Sequence, residues 1–515
     1  MEYEERAMDP LKKEDGETSN IVNKNIETLK DFLPDAFTED GIDFDVLRQL
    51  LGDDVAEGEE KYGLSWHGKK KARQIALTPS TGTLRPCPEQ SVDWDTTQNL
   101  FIEGDNLEVL KLLRNSYAGK VKMIYIDPPY NTGKEFIYPD RFQENLDTYL
   151  VFTGQKEGDG PKTSSNTESS GRYHTNWLSM MYPRLKLARQ LLSEDGVLLV
   201  SIDDHEVENL KRICAEIFGE ENYLSTLIWN KQHSQQQGVF KKYHEYVLIF
   251  SKDADRVAGI SGGLGLIEAG ALKKISRANP SSEFEFPAGV KFEAPNGTEL
   301  SGTLGDSEKV TVVKGRFACK NGHTTEPMTL SAGWTQKNQM KKWFAGEETF
   351  DTRGQKVVEF YFNSAGKLKC RKERGRITPS TILPPYGMVS ESTSFLSNLM
   401  GGDVFPTPKP VKMMEDFISW FMDDGDLILD FFPGSATTAH AVLNSSVQKN
   451  IAKHFIMVQL PEQLDASISE QHYAAKYCEL QGLKKNIAEW SKERIRRAAK
   501  KIKEENPHFT GDLGF

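Results

Sequence analysis

Two rhythms of hydrophobic and polar positions run along the chain. Between about residues 91 and 252, short continuous apolar runs alternate with stretches whose apolar positions recur every three or four residues. Val121–Ile126, Val197–Ile202 and Tyr246–Phe250 predict buried strands, while Leu107–Leu113, Trp177–Leu192 and Val207–Phe218 predict helices. In the second of these helices Leu178, Met181, Leu185, Ala188 and Leu192 share one face, the spacing of a helix packed on a sheet. The rhythm resumes over 401–470, with Val411–Met422 and Thr437–Leu443 helical and Leu427–Phe432 and Phe455–Leu460 as strands. It lapses over 253–400, where glycine-rich turns separate alternating strands such as Lys309–Val313 and Val357–Phe362. That span is therefore expected to be a separate domain, mostly β or α+β. Residues 1–90 carry short helical stretches, Ile26–Phe32 and Phe44–Leu51, joined by polar segments, and read as an arm or small subdomain. Residues 471–515 close the chain with a basic amphipathic helix over Leu483–Lys503, offering Ile487, Trp490, Ile495 and Ile502 for packing.

Composition adds bounds to this outline. A chain of 515 residues is too long for one core and suggests about three units at roughly 150 residues each. Hydrophobic content of 38% and charged content of 27% are those of a soluble globule. The acidic start Met1-Glu2-Tyr3-Glu4-Glu5 has no signal-peptide character and no apolar run is long enough to span a bilayer, so a cytoplasmic location is expected. Five scattered cysteines argue for reduced thiols. Cys319 and His323 lack a second pair at zinc-like spacing, and no metal site is expected. Asp203-Asp204, at a strand end before a helix, reads as a helix cap rather than a magnesium site.

The net charge of −11 would oppose binding to a polyanion, but its distribution matters more than its sum. Acid is concentrated in the first hundred residues. Lys484–Lys503 is mostly basic, and 252–376 carries Lys and Arg among aromatics such as Trp334, Trp343 and Phe344. The basic tail reads either as a solvated helix face or as a DNA or subunit contact.

Two segments carry chemistry. The predicted strand Val121–Ile126 runs into Asp127-Pro128-Pro129-Tyr130, where two prolines end the ladder and stiffen the turn. Asp127 and the Pro128 carbonyl can accept N–H bonds and Tyr130 offers a flat face, which together suit an exocyclic amine on a planar base. The plainer reading is a well-built strand-to-loop turn. Far downstream, Asp426–Phe432 leads into Pro433-Gly434-Ser435-Ala436-Thr437-Thr438 and a helix, the usual place for a nucleotide-like cofactor in a doubly wound sheet. Gly154–Arg172, poor in apolar residues, reads as a mobile loop leaving the first of these turns.

With these motifs the chain resembles the amino-methylating DNA methyltransferases of the class whose catalytic motif precedes the cofactor motif. Asp127-Pro128-Pro129-Tyr130 matches the catalytic tetrapeptide and Asp430-Phe431-Phe432-Pro433-Gly434-Ser435 the S-adenosylmethionine motif. The likeness extends to Gly104–Leu110 and Trp177–Leu185. Asn131-Thr132-Gly133, Ser201–Asp204 and Lys492–Arg497 make it most similar to the modification subunits of type III restriction-modification systems.

The resemblance implies an α/β, doubly wound Rossmann-like sheet assembled from two segments, a catalytic half at 91–252 and a cofactor half at 401–470. An inserted target-recognition domain at 253–400 would separate them. It implies a catalytic role for Asp127, Pro128, Pro129 and Tyr130, and an S-adenosyl-L-methionine site formed by Asp105, Asp430, Phe431, Phe432, Gly434, Ser435, Thr437 and Gln459. Asp105 would take the adenine amine of the cofactor. Ala436 stands where many relatives carry glycine, and Gln459 where many carry a carboxylate for the ribose, leaving either the Gln459 amide or Glu462 for that task. An aspartate at the head of the tetrapeptide implies adenine N6, with cytosine N4 the alternative.

The implied substrate is double-stranded DNA with the target base flipped out. The chain would be a homodimer that pairs with a separate ATP-dependent restriction subunit, since no Gly-x-x-x-x-Gly-Lys-Ser/Thr loop is present here. A DNA-reading specificity module with incidental or lost methylation is the alternative of a different class.

Overall fold

The computed structural model describes residues 20–38, 41–51, 63–132, 173–232, 239–262, 264–402, 408–467 and 469–515. They fall into two compact units, one drawn from residues up to Ala258 and from Ser380 onward, the other spanning Gly259–Pro379.

The first unit is built on a mixed seven-stranded sheet. In chain order its strands are Leu100–Glu103 (β1), Val121–Ile126 (β2), Leu192–Ile202 (β3), Tyr223–Asn230 (β4), His244–Ser251 (β5), Leu427–Asp430 (β6) and His454–Gln459 (β7). In space they run β1-β7-β6-β2-β3-β5-β4. The first five are mutually parallel, whereas β5 runs antiparallel to both β3 and β4. The helices that accompany them are Asn106–Tyr117 (α1), Tyr173–Leu191 (α2), Val207–Phe218 (α3), Val389–Met400 (α4), Val411–Phe421 (α5), Thr437–Lys449 (α6) and Ile487–Glu505 (α7). Strands that are apolar at nearly every position are wrapped by the apolar stripes of these helices. Ile124, Ile126, Leu198, Val200, Leu429 and Ile456 are buried in one cluster with Trp177, Met181, Leu185 and Ala188 of α2.

The chain leaves β2 for β3 in one direction and β6 for β7 in the other, so the strand order reverses between β2 and β6. Open α/β sheets form their ligand crevices beyond the carboxyl ends of strands at such a point.

Several boundaries differ from the sequence reading for local reasons. Leu192, expected to end α2, opens β3 opposite Val121, and the register then shifts before Val197 pairs with Met123. Gly196 makes this possible, because a Cβ there would lie 2.9 Å from both the Ser193 and Val121 carbonyl oxygens. β6 stops at Asp430, leaving Phe431 and Phe432 to the turn. α7 starts at Ile487 because the Asn486 side chain caps it by accepting from the Glu489 N–H. The strands β1 and β4 and the helix Lys69–Leu77, which buries Ala72 and Ile75, were not expected.

The second unit is mostly β, with one helix, Lys337–Phe344, among its described residues. A four-stranded antiparallel sheet includes Ser282–Phe286, Val310–Lys314 and Met328–Ala332, and a three-stranded one is formed by Leu264–Gly270, Val357–Phe362 and Leu368–Arg376. Its core is aromatic. Phe286, Phe292, Phe317 and Phe362 make edge-to-face or tilted contacts at 4.8–6.3 Å. Trp334 is buried there and its indole N–H donates to the Ser282 carbonyl, while Phe344 packs against Phe360. Trp334 is therefore core, and Phe344 packs partly buried against that core. Residues 253–258 and 380–400, expected with this domain, belong instead to the sheet unit: the Ala254 N–H donates to Asn222, and Leu396 packs with Ala474 and Trp490.

Candidate active site

Asp127 is the first residue beyond β2 and Asp430 the last of β6. Strand pairing sets Ile428 beside Met123 and Leu429 beside Ile124, so both carboxylates stand at the same edge of the sheet. Around Asp127 the turn is fixed from several sides. The Trp177 indole N–H of α2 donates to the Pro129 carbonyl at 2.7 Å. Asn131 takes a left-handed conformation with φ of 62°, and its side-chain amide donates to the buried Glu206 carboxylate, which also meets His174 Nδ1 at 2.7 Å. Gly133 and the expected loop Gly154–Arg172 lie outside the described residues.

The Tyr130 hydroxyl donates to Asp127 Oδ1 at 2.9 Å. Lys409, in the segment before α5, donates from Nζ to the Tyr130 hydroxyl at 2.6 Å and to Glu245 Oε2 of β5 at 2.8 Å, and stands 3.3 Å from Asp127 Oδ1. Its ammonium also lies over the Tyr130 and Trp229 rings, 5.0 and 5.4 Å from their centroids. Glu245 is shared with Lys231 at 2.6 Å.

Burial pushes the Asp127 carboxyl above its ordinary range; Lys409 and the Tyr130 hydroxyl oppose that push, and Glu245 adds to it. Burial acts on Glu245 in the same sense, but Lys409 and Lys231 outweigh it and hold Glu245 down at about 2. Burial disfavours the charged form of Lys409 too, and the two carboxylates overcome it, so Lys409 stays protonated. The Asp127 side chain nevertheless keeps 32% of its surface exposed, enough for a ligand to reach it.

The second turn lies at the end of β6. Asp430 accepts from the Thr438 hydroxyl at 2.6 Å and the Phe432 N–H at 3.0 Å, and burial pushes its carboxyl up to about 7. Gly434 has φ of 50° and a Cβ there would meet nothing within 4 Å, so the space above the turn is open. Ala436 sits at the N-cap of α6 with φ of 57°, a conformation glycine adopts at lower cost. No side chain caps that helix start, which leaves an N-terminus suited to a polar ligand.

Gln459, at the end of β7, uses its amide internally: Oε1 accepts from the Gly434 N–H at 3.1 Å and Nε2 donates to the Leu460 carbonyl. Glu462, by contrast, has its carboxyl raised by burial and makes no side-chain hydrogen bond among the described residues. Asp105 caps α1 by accepting from the Glu108 N–H and stands 3.7 Å from the Arg184 guanidinium. Its neighbour Asn106 donates to the Phe431 carbonyl at 2.7 Å and accepts from Arg184 Nε at 2.6 Å, tying α1 and α2 to the second turn.

The Ser435 and Thr437 hydroxyls face Arg494 of α7, whose guanidinium donates to Ser435 O and Oγ at 2.8 Å and to Thr437 Oγ1 at 2.9 Å. Arg494 is fully buried, and Lys492 is buried in ion pairs with Glu103 and Glu489. At these two positions the basic tail is neither a solvated face nor an exposed contact surface, and through Arg494 it braces the turn.

Asp203 and Asp204 are engaged separately: Asp203 accepts from the His205 N–H, and Asp204 pairs with Lys242 and the Tyr246 hydroxyl. The N-cap of α3 is Glu206, so neither aspartate caps that helix. The sequence reading missed Lys409, Glu245, Asn106, Arg184 and Arg494 as parts of the site. The signal for Lys409 was a lysine locked between two prolines, Pro408 and Pro410.

A family model for DNA methylases of the N6/N4 type matches residues 121–464, which spans both turns. The chain belongs to that DNA methylase family. Over 506 residues this methylase is 30% identical to the type III restriction-modification enzyme EcoPI Mod subunit of Escherichia phage P1, covering 94% of its own length and 75% of the relative's. It is also 30% identical over 526 residues to the StyLTI Mod subunit of Salmonella typhimurium, with 95% and 73% covered. The EcoP15I Mod subunit of Escherichia coli is 29% identical over 524 residues, with 95% and 77% covered. Among the described residues, no helix of the methylase is long and apolar enough to cross a membrane.

Proposed function

We propose that the chain is a site-specific DNA adenine-N6 methyltransferase, the modification and sequence-recognition subunit of a type III restriction-modification system. The sheet would be a methyltransferase sheet assembled from two sequence segments, with the unit at 259–379 inserted between them to read the target. The observation that carries the reading is the juxtaposition of Asp127 and Asp430 at adjacent strand ends, with Tyr130 hydrogen-bonded to the first and open space above Gly434 beside the second. The aspartate that heads the tetrapeptide favours adenine over cytosine N4, and relatives named as Mod subunits of type III restriction-modification enzymes point to a restriction subunit as partner. The methylase would act as a homodimer on duplex DNA.

The cofactor is S-adenosyl-L-methionine. The second turn suits it: an open Gly434, an uncapped α6 start and the Asp430 carboxyl lie there, and Glu462, three residues beyond Gln459, would take the ribose hydroxyls. Bound there, it would supply an electrophilic methyl group carried on a sulfonium, with a neutral thioether as the leaving group. Asp127 and the Pro128 carbonyl accept the two N–H bonds of the target amine, drawing its lone pair out of the ring and toward the methyl carbon. The nitrogen loses a proton along its bond to Asp127. Tyr130 stacks on the flipped base, returning part of the few kcal/mol spent on unstacking it. The work is orientation and fixed electrostatics, with no cysteine nucleophile.

The test is transfer of tritiated methyl from S-adenosylmethionine to mixed-sequence duplex DNA, followed by nucleoside analysis. N6-methyladenine from wild type, reduced by about a hundredfold or more in Asp127→Ala, is the expected result; N4-methylcytosine would replace adenine as the target. No incorporation despite binding of cofactor and DNA would sink the enzymatic reading in favour of a specificity module.

A further inference from the structure

We infer that Lys409 is a positioning residue for methyl transfer, supplying the fixed counter-charge for the Asp127 carboxylate while Glu245 holds its ammonium in place. The inference rests on Asp127 being the acceptor of the target amine. Lys409 reaches the site from the segment before α5, flanked by Pro408 and Pro410, and its side chain is only 11% exposed. A lysine so placed is short of water partners and takes its hydrogen bonds from the site itself: the Tyr130 hydroxyl at 2.6 Å and Glu245 Oε2 at 2.8 Å, with Asp127 Oδ1 at 3.3 Å.

The groups facing Asp127 come from every neighbouring element. β2 contributes Tyr125, whose hydroxyl is bonded to Ser201 of β3, and the turn contributes Tyr130. Glu245 comes from β5, Lys231 from just beyond β4, Asp430 from β6 and Lys409 from before α5. Asp127 and Glu245 are balanced by Lys409 and Lys231. Remove Lys409 and Asp127 is left half-buried, facing Glu245, with both influences favouring its protonated form. A protonated carboxyl presents an O–H where the amine needs an acceptor, so the chemistry would stall without any change in shape. Lys409 is not itself a base, because two carboxylates hold its proton.

The decisive measurement is the titration of the Asp127 carboxyl by infrared difference spectroscopy of the full chain, with Asp127→Asn as the reference, alongside the pH profile of methyl transfer. In Lys409→Met the carboxyl midpoint and the acid limb of transfer should both move to higher pH by about one unit or more, with activity partly returning in alkaline buffer. Lys409→Arg, which keeps the charge, should leave both near wild type. Glu245→Gln removes the competing charge but keeps an amide oxygen that can still accept from Lys409 Nζ, so it should move the midpoint down, a result that does not depend on Lys409→Met folding. Retained binding of S-adenosylmethionine by calorimetry marks each variant as folded. An unmoved midpoint in folded Lys409→Met, an equal shift in Lys409→Arg, or a rise in Glu245→Gln would overturn the inference. A wild type that methylates nothing would defeat the functional reading instead, with the infrared titration still deciding whether Lys409 sets the charge of Asp127.

Discussion

Two aspartates at neighbouring strand ends are in opposite electrostatic company. Asp127 faces an ammonium, whereas Asp430 is held by the Thr438 hydroxyl and the Phe432 N–H, and burial lifts it to about 7. A carboxyl whose folded pKa is raised holds its proton more tightly folded than unfolded, so stability falls as pH climbs from the ordinary aspartate range toward 7. The unliganded protein should lose roughly 1 kcal/mol per pH unit through that window, and Asp430→Asn should flatten the loss; denaturation curves at several pH values would measure both. Of the two residues proposed for the ribose, Gln459 spends its amide on Gly434 and Leu460, whereas the Glu462 carboxyl makes no side-chain hydrogen bond among the described residues. Glu462→Gln should weaken S-adenosylmethionine binding by about tenfold, equivalent to one charge-assisted hydrogen bond, with folding unchanged, as read by calorimetry and thermal melting. That the Asp127–Tyr130 turn and the turn after Asp430 stand at neighbouring strand ends was legible because each is a contiguous motif. Lys409 and Glu245 were not, since they lie 279 and 115 residues from Tyr130 and only the folded sheet brings them to it.

At the scale of elements, strands and helices with long apolar periodicity were readable to within a few residues, and Val121–Ile126 and Val207–Phe218 were matched at both ends. Short or half-buried elements were not: β1 is four residues long, and most of β4 is only partly covered, so neither carries a pattern that stands out from its surroundings. The last helix shows a different failure. Its basic composition signals a surface, yet Arg494 is inside, with burial pulling its guanidinium down to about 9 and three oxygens of the turn after β6 as its partners. Charge pattern along a sequence cannot tell a solvated arginine from one satisfied by a loop 57 residues away. Arg494→Met should destabilise the fold by about 1–3 kcal/mol through the acceptors it strands, and should weaken cofactor binding more than DNA binding. Thermal melts with paired calorimetric titrations would separate the two effects.

For the molecule as a whole, the change of rhythm in the sequence located the second unit, but its limits depended on tertiary partners: 253–258 and 380–400 look like loop and helix in isolation and only their packing assigns them to the sheet. Within the second unit the two ends of the segment lie side by side. The Gly262 N–H donates to the Ile377 carbonyl at 2.7 Å, and a Cβ on Gly262 would come within 2.8 Å of Pro379 Cα. Replacing 259–379 by a short flexible linker should therefore leave a folded sheet unit that still binds S-adenosylmethionine, measured by calorimetry, while methylation of a defined DNA site is lost. An excursion that starts and finishes at one doorway can be traded for another of unrelated sequence without re-threading the sheet. On the proposed reading of that unit, a lineage of such proteins could thus acquire new recognition specificities by recombination within a single stretch of its gene, leaving the chemistry inherited intact.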